Sequence, residues 1–245
     1  MLEIKNLKKS FGGVRAVNDC SFSVRKGKIT ALIGPNGSGK STIFNLVSGV
    51  LVPDGGKIVF DGNEITSKSV EGISNLGVSR IFQQSRLFNN LSVKENLFLA
   101  LDNSDTKFWR NLIGIGLKRN EKEKKVLEAL ALIGLESKAN SVGRELSFGQ
   151  KRLVELSRAM LKPHKLLMLD EPVAGVTPPM RKEIGEILIS LRKKGETILL
   201  IEHDMQFTLG IADEVVVLDE GKVIAQGTPA KIKKNKKVLE AYLGD

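Results

Sequence analysis

Eight consecutive residues, Gly34-Pro35-Asn36-Gly37-Ser38-Gly39-Lys40-Ser41, have the spacing of a phosphate-binding loop. Binding a phosphate chain needs converging hydrogen-bond donors and a positive charge. The glycines let the backbone curl so that several N–H groups point at phosphate oxygens, and a helix opening near Lys40 adds the positive end of its dipole. Lys40 is placed to reach the β- and γ-phosphates of a nucleotide, and the Ser41 hydroxyl to bind Mg²⁺. Thr42 completes this group. A second chemical element is Leu166-Leu167-Met168-Leu169-Asp170-Glu171, an apolar run ending in two carboxylates. On an open α/β sheet the C-terminal strand ends face the ligand crevice. There Asp170 would hold Mg²⁺, and Glu171 would orient or deprotonate a water that attacks the γ-phosphate. These two elements define a P-loop NTPase without separating a kinase, a GTPase and other ATPases.

A third element makes that separation. Leu146-Ser147-Phe148-Gly149-Gln150-Lys151-Arg152 stands just before a helical pattern carrying Leu153, Leu156 and Met160. Ser147 is a good N-cap and Gly149 leaves the backbone open, so a second helix N-terminus is able to bind an anion. A chain that already owns a phosphate loop gains nothing from this alone. The arrangement makes sense if the site serves the nucleotide of a second subunit.

The elements that must hold these residues follow from hydrophobic periodicity. Ile29–Ile33, Leu166–Leu169, Thr197–Ile201 and Val215–Leu218 are short apolar runs of the buried-strand kind. Thr42–Ser48 reads as a helix stopped by Gly49. A second helix starts at Thr177-Pro178, carries Ile184, Ile187, Leu188 and Leu191 at helical spacing, and ends at Gly195. Strands alternating with helices imply an α/β fold with a largely parallel sheet. From about Leu87 to Met160 no strand pattern is found. Ser92-Val93-Lys94-Glu95 has the form of a capping box, and Glu121–Ile133 is helical, closed by Gly134. The expectation is a single domain over 1–245, with a core of 1–86 and 160–245 and a helical lobe over about 87–159.

Composition narrows the setting. The chain has 245 residues, 41% of them hydrophobic, and a net charge of +10. No run reaches the roughly 18–20 apolar residues of a membrane-spanning helix. Met1-Leu2-Glu3-Ile4-Lys5 alternates like a strand and lacks the form of a signal peptide. A cytoplasmic location is expected. Cys20 is the only cysteine, which excludes an internal disulfide, and it reads as a small buried apolar residue. Lys231, Lys233, Lys234, Lys236 and Lys237 read as a solvated helix face, with attraction to anionic lipid as the other reading.

With these motifs in hand, the chain resembles the ABC nucleotide-binding domain family from end to end. Leu146–Gln150 is similar to that family's signature motif, with Phe148 in place of the usual glycine. The resemblance implies a RecA-like P-loop core with a mainly parallel sheet, an antiparallel β subdomain and an all-helical insertion lobe. It implies two subunits paired head to tail, so that Ser147, Gly149 and Gln150 meet the nucleotide held by the other. Phe11, before Gly12-Gly13, lies where the family stacks an aromatic ring on adenine. Gln83, with Gln84 beside it as the other candidate, resembles the glutamine that senses Mg²⁺ and the γ-phosphate. His203 resembles the histidine that contacts the γ-phosphate, whereas His164 sits in a polar loop and reads as structural. Thr177 stands where the family usually has Asp or Asn, and is read as structural.

Arg80–Phe88, Leu91–Leu97, Gln226–Pro229 and Ala241–Gly244 resemble one branch of the importers, the larger ATPase subunit for branched-chain amino acids. Cassettes for urea or short amides, and those for lipopolysaccharide export, are close to the same pattern. The implied partners are ATP, a second cassette (a copy or a paralogue), integral membrane permeases and, indirectly, an extracytoplasmic binding protein. The implied location is peripheral, on the inner face of the membrane. Phe108, Trp109, Leu112 and Ile113 either pack internally or dock a permease helix. The rival class is a nucleic-acid or ribosome ABC ATPase. It suits the basic charge, but such proteins usually carry two cassettes or long insertions, and no nucleic acid is expected here.

Overall fold

The computed structural model describes residues 1–81, 87–101 and 119–243. In chain order the strands and helices are β1 (Leu2–Phe11), β2 (Val14–Val24), β3 (Ile29–Ile33), α1 (Lys40–Val47), β4 (Gly55–Phe60), β5 (Asn63–Glu64), α2 (Val70–Asn75) and β6 (Val78–Ile81). They continue with α3 (Val93–Leu101), α4 (Arg119–Leu132), α5 (Phe148–Leu161), β7 (Leu166–Asp170), α6 (Pro178–Lys193), β8 (Ile198–Ile201), α7 (Met205–Ile211), β9 (Glu214–Asp219), β10 (Lys222–Gly227), α8 (Pro229–Ile232) and α9 (Lys236–Leu243). None of the described helices is long and apolar enough to cross a membrane.

The chain divides into two compact units. The first comprises Met1–Arg80, Lys165–Pro172 and Leu188–Asp245; the second comprises Ile81–His164 and Val173–Ile187.

The first unit contains two sheets. In the six-stranded sheet the order is β10-β9-β3-β8-β7-β6, which is not chain order. Strands β9, β3, β8 and β7 run parallel, and β10 closes the edge antiparallel to β9. Strands β3, β7 and β8 are buried at every position, as parallel strands covered on both faces require. The second sheet is antiparallel, in the order β2-β1-β4-β5. Its β1 opens with the alternation expected of Met1–Lys5: Leu2 and Ile4 face inward and Glu3 and Lys5 outward. One hydrophobic cluster draws on both sheets and on α1. It includes Leu2, Ile4 and Phe60 from the antiparallel sheet, Ile43, Phe44 and Val47 from α1, and Leu32, Met168 and Ile201 from the other sheet. The helix behind the phosphate loop is therefore fixed by core packing. Cys20 lies in this cluster, and burial pushes its thiol up to about 12, so the apolar reading holds.

The second unit is helical. Between residues 87 and 164 the described residues form no strand, only an isolated bridge between Ser92 and Val142. The capping box forms as expected: Ser92 N donates to Glu95 Oε2 at 2.7 Å, and Glu95 N to Ser92 Oγ at 3.2 Å. Asn96 then anchors the preceding turn. Its side chain donates to the carbonyls of Phe88, Leu91 and Ser92 and accepts from Phe88 N. The buried face of this unit includes Val93, Leu97, Val126, Leu130 and Leu153.

Candidate functional site

Strand β3 delivers the chain into Gly34, and α1 begins at Lys40, where the phosphate loop called for a helix N-terminus and two residues before the apolar pattern from Thr42. Two glycines are demanded by close approach. A Cβ on Gly34 would lie 2.1 Å from Leu218 O, and one on Gly39 would lie 2.3 Å from Ala16 O. Both contacts are to backbone, which cannot yield. Gly39 also has φ 100, open to glycine and strained for other residues. The loop is cross-braced by Ser38 N to Pro35 O at 3.2 Å and by Gly221 N to Ser38 O at 3.1 Å. Asn36 and Gly37 form its exposed crest.

Lys40 is buried, and its ammonium donates to Gly34 O at 2.8 Å and Pro35 O at 2.7 Å, with Ser38 Oγ at 3.4 Å. Burial pushes its pKa down, and the nearby carboxylates of Glu171 and Asp170 pull it back up. The lysine thus holds a positive charge at the loop by neutral carbonyls and by two acids just beyond it. Ser41 is exposed on the first turn of α1.

The two acids end β7. Strand β8 is its neighbour in the sheet, with Asp170 opposite Ile201. That register puts the residues following each strand side by side. Glu171 N donates to Ile201 O at 3.0 Å, and Glu171 Oε1 lies 2.8 Å from His203 Nε2. An ionised carboxylate can only accept, so the imidazole N–H is the donor. His203 is in turn held by α7, whose N-cap Asp204 accepts from Phe207 N at 2.8 Å. Glu171 has φ 50, a left-handed conformation that is uncommon for a residue with a Cβ. Two residues assigned separate roles from sequence therefore form one carboxylate–imidazole pair. The carboxylate is oriented by the ring.

Asp170 is engaged by a residue that the site reading missed. Arg80 Nη2 donates to Asp170 Oδ2 at 3.1 Å, and both side chains are almost wholly buried. The available signal was a basic residue inside the apolar run Val78-Ser79-Arg80-Ile81, just upstream of the glutamine.

Phe11 ends β1, and Gly12 and Gly13 form the two-residue hairpin turn, with φ 51 and 92. The ring is 45% exposed, which removes the core alternative. Lys9 Nζ lies 5.6 Å from its centroid. The hairpin meets the phosphate loop where Ala16 O approaches Gly39.

The signature residues belong to the second unit. Ser147 caps α5 in a reciprocal capping box: Gln150 N donates to Ser147 Oγ at 3.3 Å, and Ser147 N to Gln150 Oε1 at 3.0 Å. Gln150 is thus engaged in the cap itself. Gly149 lies against Met180, where a Cβ would come 3.2 Å from Met180 Cε, and Phe148 is 59% exposed beside Gly175. Thr177 accepts the first bond of α6 through its carbonyl, from Arg181 N at 2.9 Å. His164 Nδ1 contacts Lys162 O at 2.7 Å, in keeping with a structural role. All five C-terminal lysines are exposed. Gln83 and Gln84, and the apolar group Phe108, Trp109, Leu112 and Ile113, lie outside the described residues.

A magnesium site is compatible with this donor set. Among the described residues no cluster of three or more His, Cys, Asp or Glu could hold a metal. Mg²⁺ bound with a nucleotide asks for fewer protein ligands: one or two hard oxygens, with phosphates and water completing the shell. Ser41 and Asp170 supply a hydroxyl and a carboxylate of that kind.

Phosphate loop, acid pair and parallel sheet together define a P-loop nucleoside triphosphatase. Comparison with known proteins gives the family. Residues 17–174 match the family described as ABC transporter, and residues 222–245 match that described as branched-chain amino acid ATP-binding cassette transporter. The chain belongs to the ABC transporter family, as one of its ATP-binding, ATP-hydrolysing cassettes. It is 38% identical over 250 residues to the high-affinity branched-chain amino acid transport ATP-binding protein LivG of Escherichia coli K12, covering 100% of this chain and 98% of the relative. It has the same identity and coverage with BraF of Pseudomonas aeruginosa, which carries the same description. A solved ATP-binding cassette of an ABC transporter in its ADP conformation is 33% identical, with a TM-score of 0.86, covering 100% of this chain and 99% of the other.

Proposed function

We propose that this chain is the ATPase subunit that powers import of branched-chain amino acids, working on the inner face of the membrane with permease subunits and a second cassette. The observation that carries the reading is the similarity to LivG and BraF over the whole chain, including the C-terminal segment 222–245. The site supports the chemistry. Phe11 stacks the adenine; Lys40 and the backbone N–H groups of the loop over 34–42, Pro35 excepted, bind the phosphates; Ser41, Asp170 and Gln83 would hold Mg²⁺, which would supply charge neutralisation on the phosphates when bound. Glu171, oriented by His203, accepts a proton from the attacking water. Ser147, Gly149 and Gln150 serve the nucleotide of the paired cassette, and closure around the γ-phosphate drives the permeases, because ADP lacks those contacts.

The test has two parts. Glu171→Gln should lower kcat by about 10²- to 10⁴-fold while nucleotide affinity is retained. In cells, the same variant should abolish uptake of labelled leucine, isoleucine and valine. Loss of hydrolysis with normal uptake of all three would sink the substrate assignment and leave the ATPase; urea, amides and lipopolysaccharide would then be assayed in turn.

A further inference from the structure

Arg80 occupies a place that a simple ion pair does not explain. Its guanidinium reaches, among other partners, Asp170 Oδ2 at 3.1 Å, Asn45 Oδ1 at 2.8 Å and Ser48 Oγ at 2.8 Å. It also lies over the ring of Phe44, 5.5 Å from the centroid. The Ser48 hydroxyl proton is already committed to Phe44 O at 2.8 Å, so its oxygen is left to accept from the arginine. Asn45 and Ser48 stand four and seven residues after Ser41, on the same face of α1.

This matters because the backbone provides no direct link between the two groups that would share Mg²⁺. Ser41 follows β3 and Asp170 ends β7, and β8 lies between those strands in the sheet. Asp170 is therefore tied to β8 and Ser41 to α1, each by its own ladder. Arg80, arriving from β6 on the far side of β7, spans the gap with side-chain bonds. A charge partner for a buried carboxylate needs only one of these contacts, and an apolar replacement of the whole pair is often as stable. The two neutral acceptors on α1 turn the pair into a gauge of the distance between helix and carboxylate. The rigid planar fork makes that possible, and a lysine could not reproduce it.

We propose that Arg80 is a positioning residue for the magnesium-holding carboxylate: by gripping α1 and Asp170 together it sets Asp170 relative to Ser41, and so makes nucleotide binding magnesium-dependent. The proposal rests on reading Asp170 and Ser41 as the residues that hold Mg²⁺.

The experiment titrates a fluorescent ATP analogue into the full chain, with Mg²⁺ and with EDTA. For Arg80→Gln the affinity in EDTA should stay within about twofold, while the gain on adding Mg²⁺ falls about tenfold, as orienting groups around a metal site commonly do. Arg80→Lys should recover only part of that gain. Asn45→Ala, which leaves Arg80 and Asp170 in place, should show the same magnesium-specific loss at about threefold. Equal losses with and without Mg²⁺, or none, would reduce Arg80 to a packing brace. If Arg80→Gln does not fold, Asn45→Ala decides, and an unchanged magnesium dependence there overturns the proposal. Lys40→Ala serves as the separate control: normal binding in that variant would sink the phosphate-loop reading itself, independently of Arg80.

Discussion

The phosphate-loop unit and the helical unit place their candidate groups by opposite means. In the first, position comes from backbone that has nowhere else to go. Gly34 and Gly39 sit against the carbonyls of Leu218 and Ala16, and Lys40, Arg80, Asp170 and Glu171 are held by buried or partly buried pairs. In the second, Ser147 and Gln150 satisfy each other at the tip of α5, and Phe148 stands 59% exposed beside them. One region fixes its candidate groups by buried backbone and side-chain contacts. The other is a rigid helix end whose outward groups are presented rather than enclosed. A catalytic centre needs fixed distances within one chain. A surface that completes another subunit's site needs only a stiff, well-capped scaffold.

Glycine replacements test this contrast most severely. Gly39→Ala drives a methyl into Ala16 O at 2.3 Å and strains φ 100, so a loss of about 3 kcal/mol or more is expected, with collapse of nucleotide binding. Gly175→Ala in the helical unit meets instead the edge of the exposed Phe148 ring at 3.2 Å, which can swing aside. Its cost should be about 1–2 kcal/mol, mostly from φ 72. Thermal unfolding of the two variants compares them, and equal losses would break the contrast. Ser147→Ala removes only the cap and should cost about 1 kcal/mol, a Tm drop of about 2–4 °C for a chain of this size, with nucleotide affinity at the phosphate loop unchanged.

A further expected effect, read against pH and not by substitution alone, is confined to the first unit. Burial raises the Cys20 thiol from 9.0 to about 12. The folded chain therefore keeps that proton where the unfolded chain releases it. The contribution is fully present below pH 9 and is lost as pH rises toward 12. Cys20→Ala should flatten the decline in Tm between pH 8 and 11, and an unchanged slope would show that other groups govern alkaline unfolding.

Much of this was legible in the residues. Strand β3, the loop after it, the capping box at Ser92, the N-cap at Ser147 and the start at Pro178 are local features, set by periodicity and by side chains a few residues apart. What the sequence could not convey was lateral order. Glu171 and His203 meet because β7 and β8 are neighbours, and Arg80 reaches Asp170 because β6 flanks β7 on the other side. Thirty-odd to ninety residues separate these partners, and no periodicity encodes such a pairing. The grouping of Val173–Ile187 with the helical unit is likewise a matter of packing.

One torsion angle carries a consequence for how far this protein could be improved. Glu171 is bent into the left-handed region at φ 50, where a side chain is tolerated only under constraint from its surroundings. Glycine would relieve that torsion, at the cost of its own chain entropy and of the contact with His203, so Glu171→Gly should change the Tm by no more than a few degrees while lowering turnover at least as far as Glu171→Gln. A residue held in a torsion that its side chain disfavours, by neighbours that its carboxylate also engages, is one whose replacement trades local comfort against contact, so durability and turnover need not improve together there.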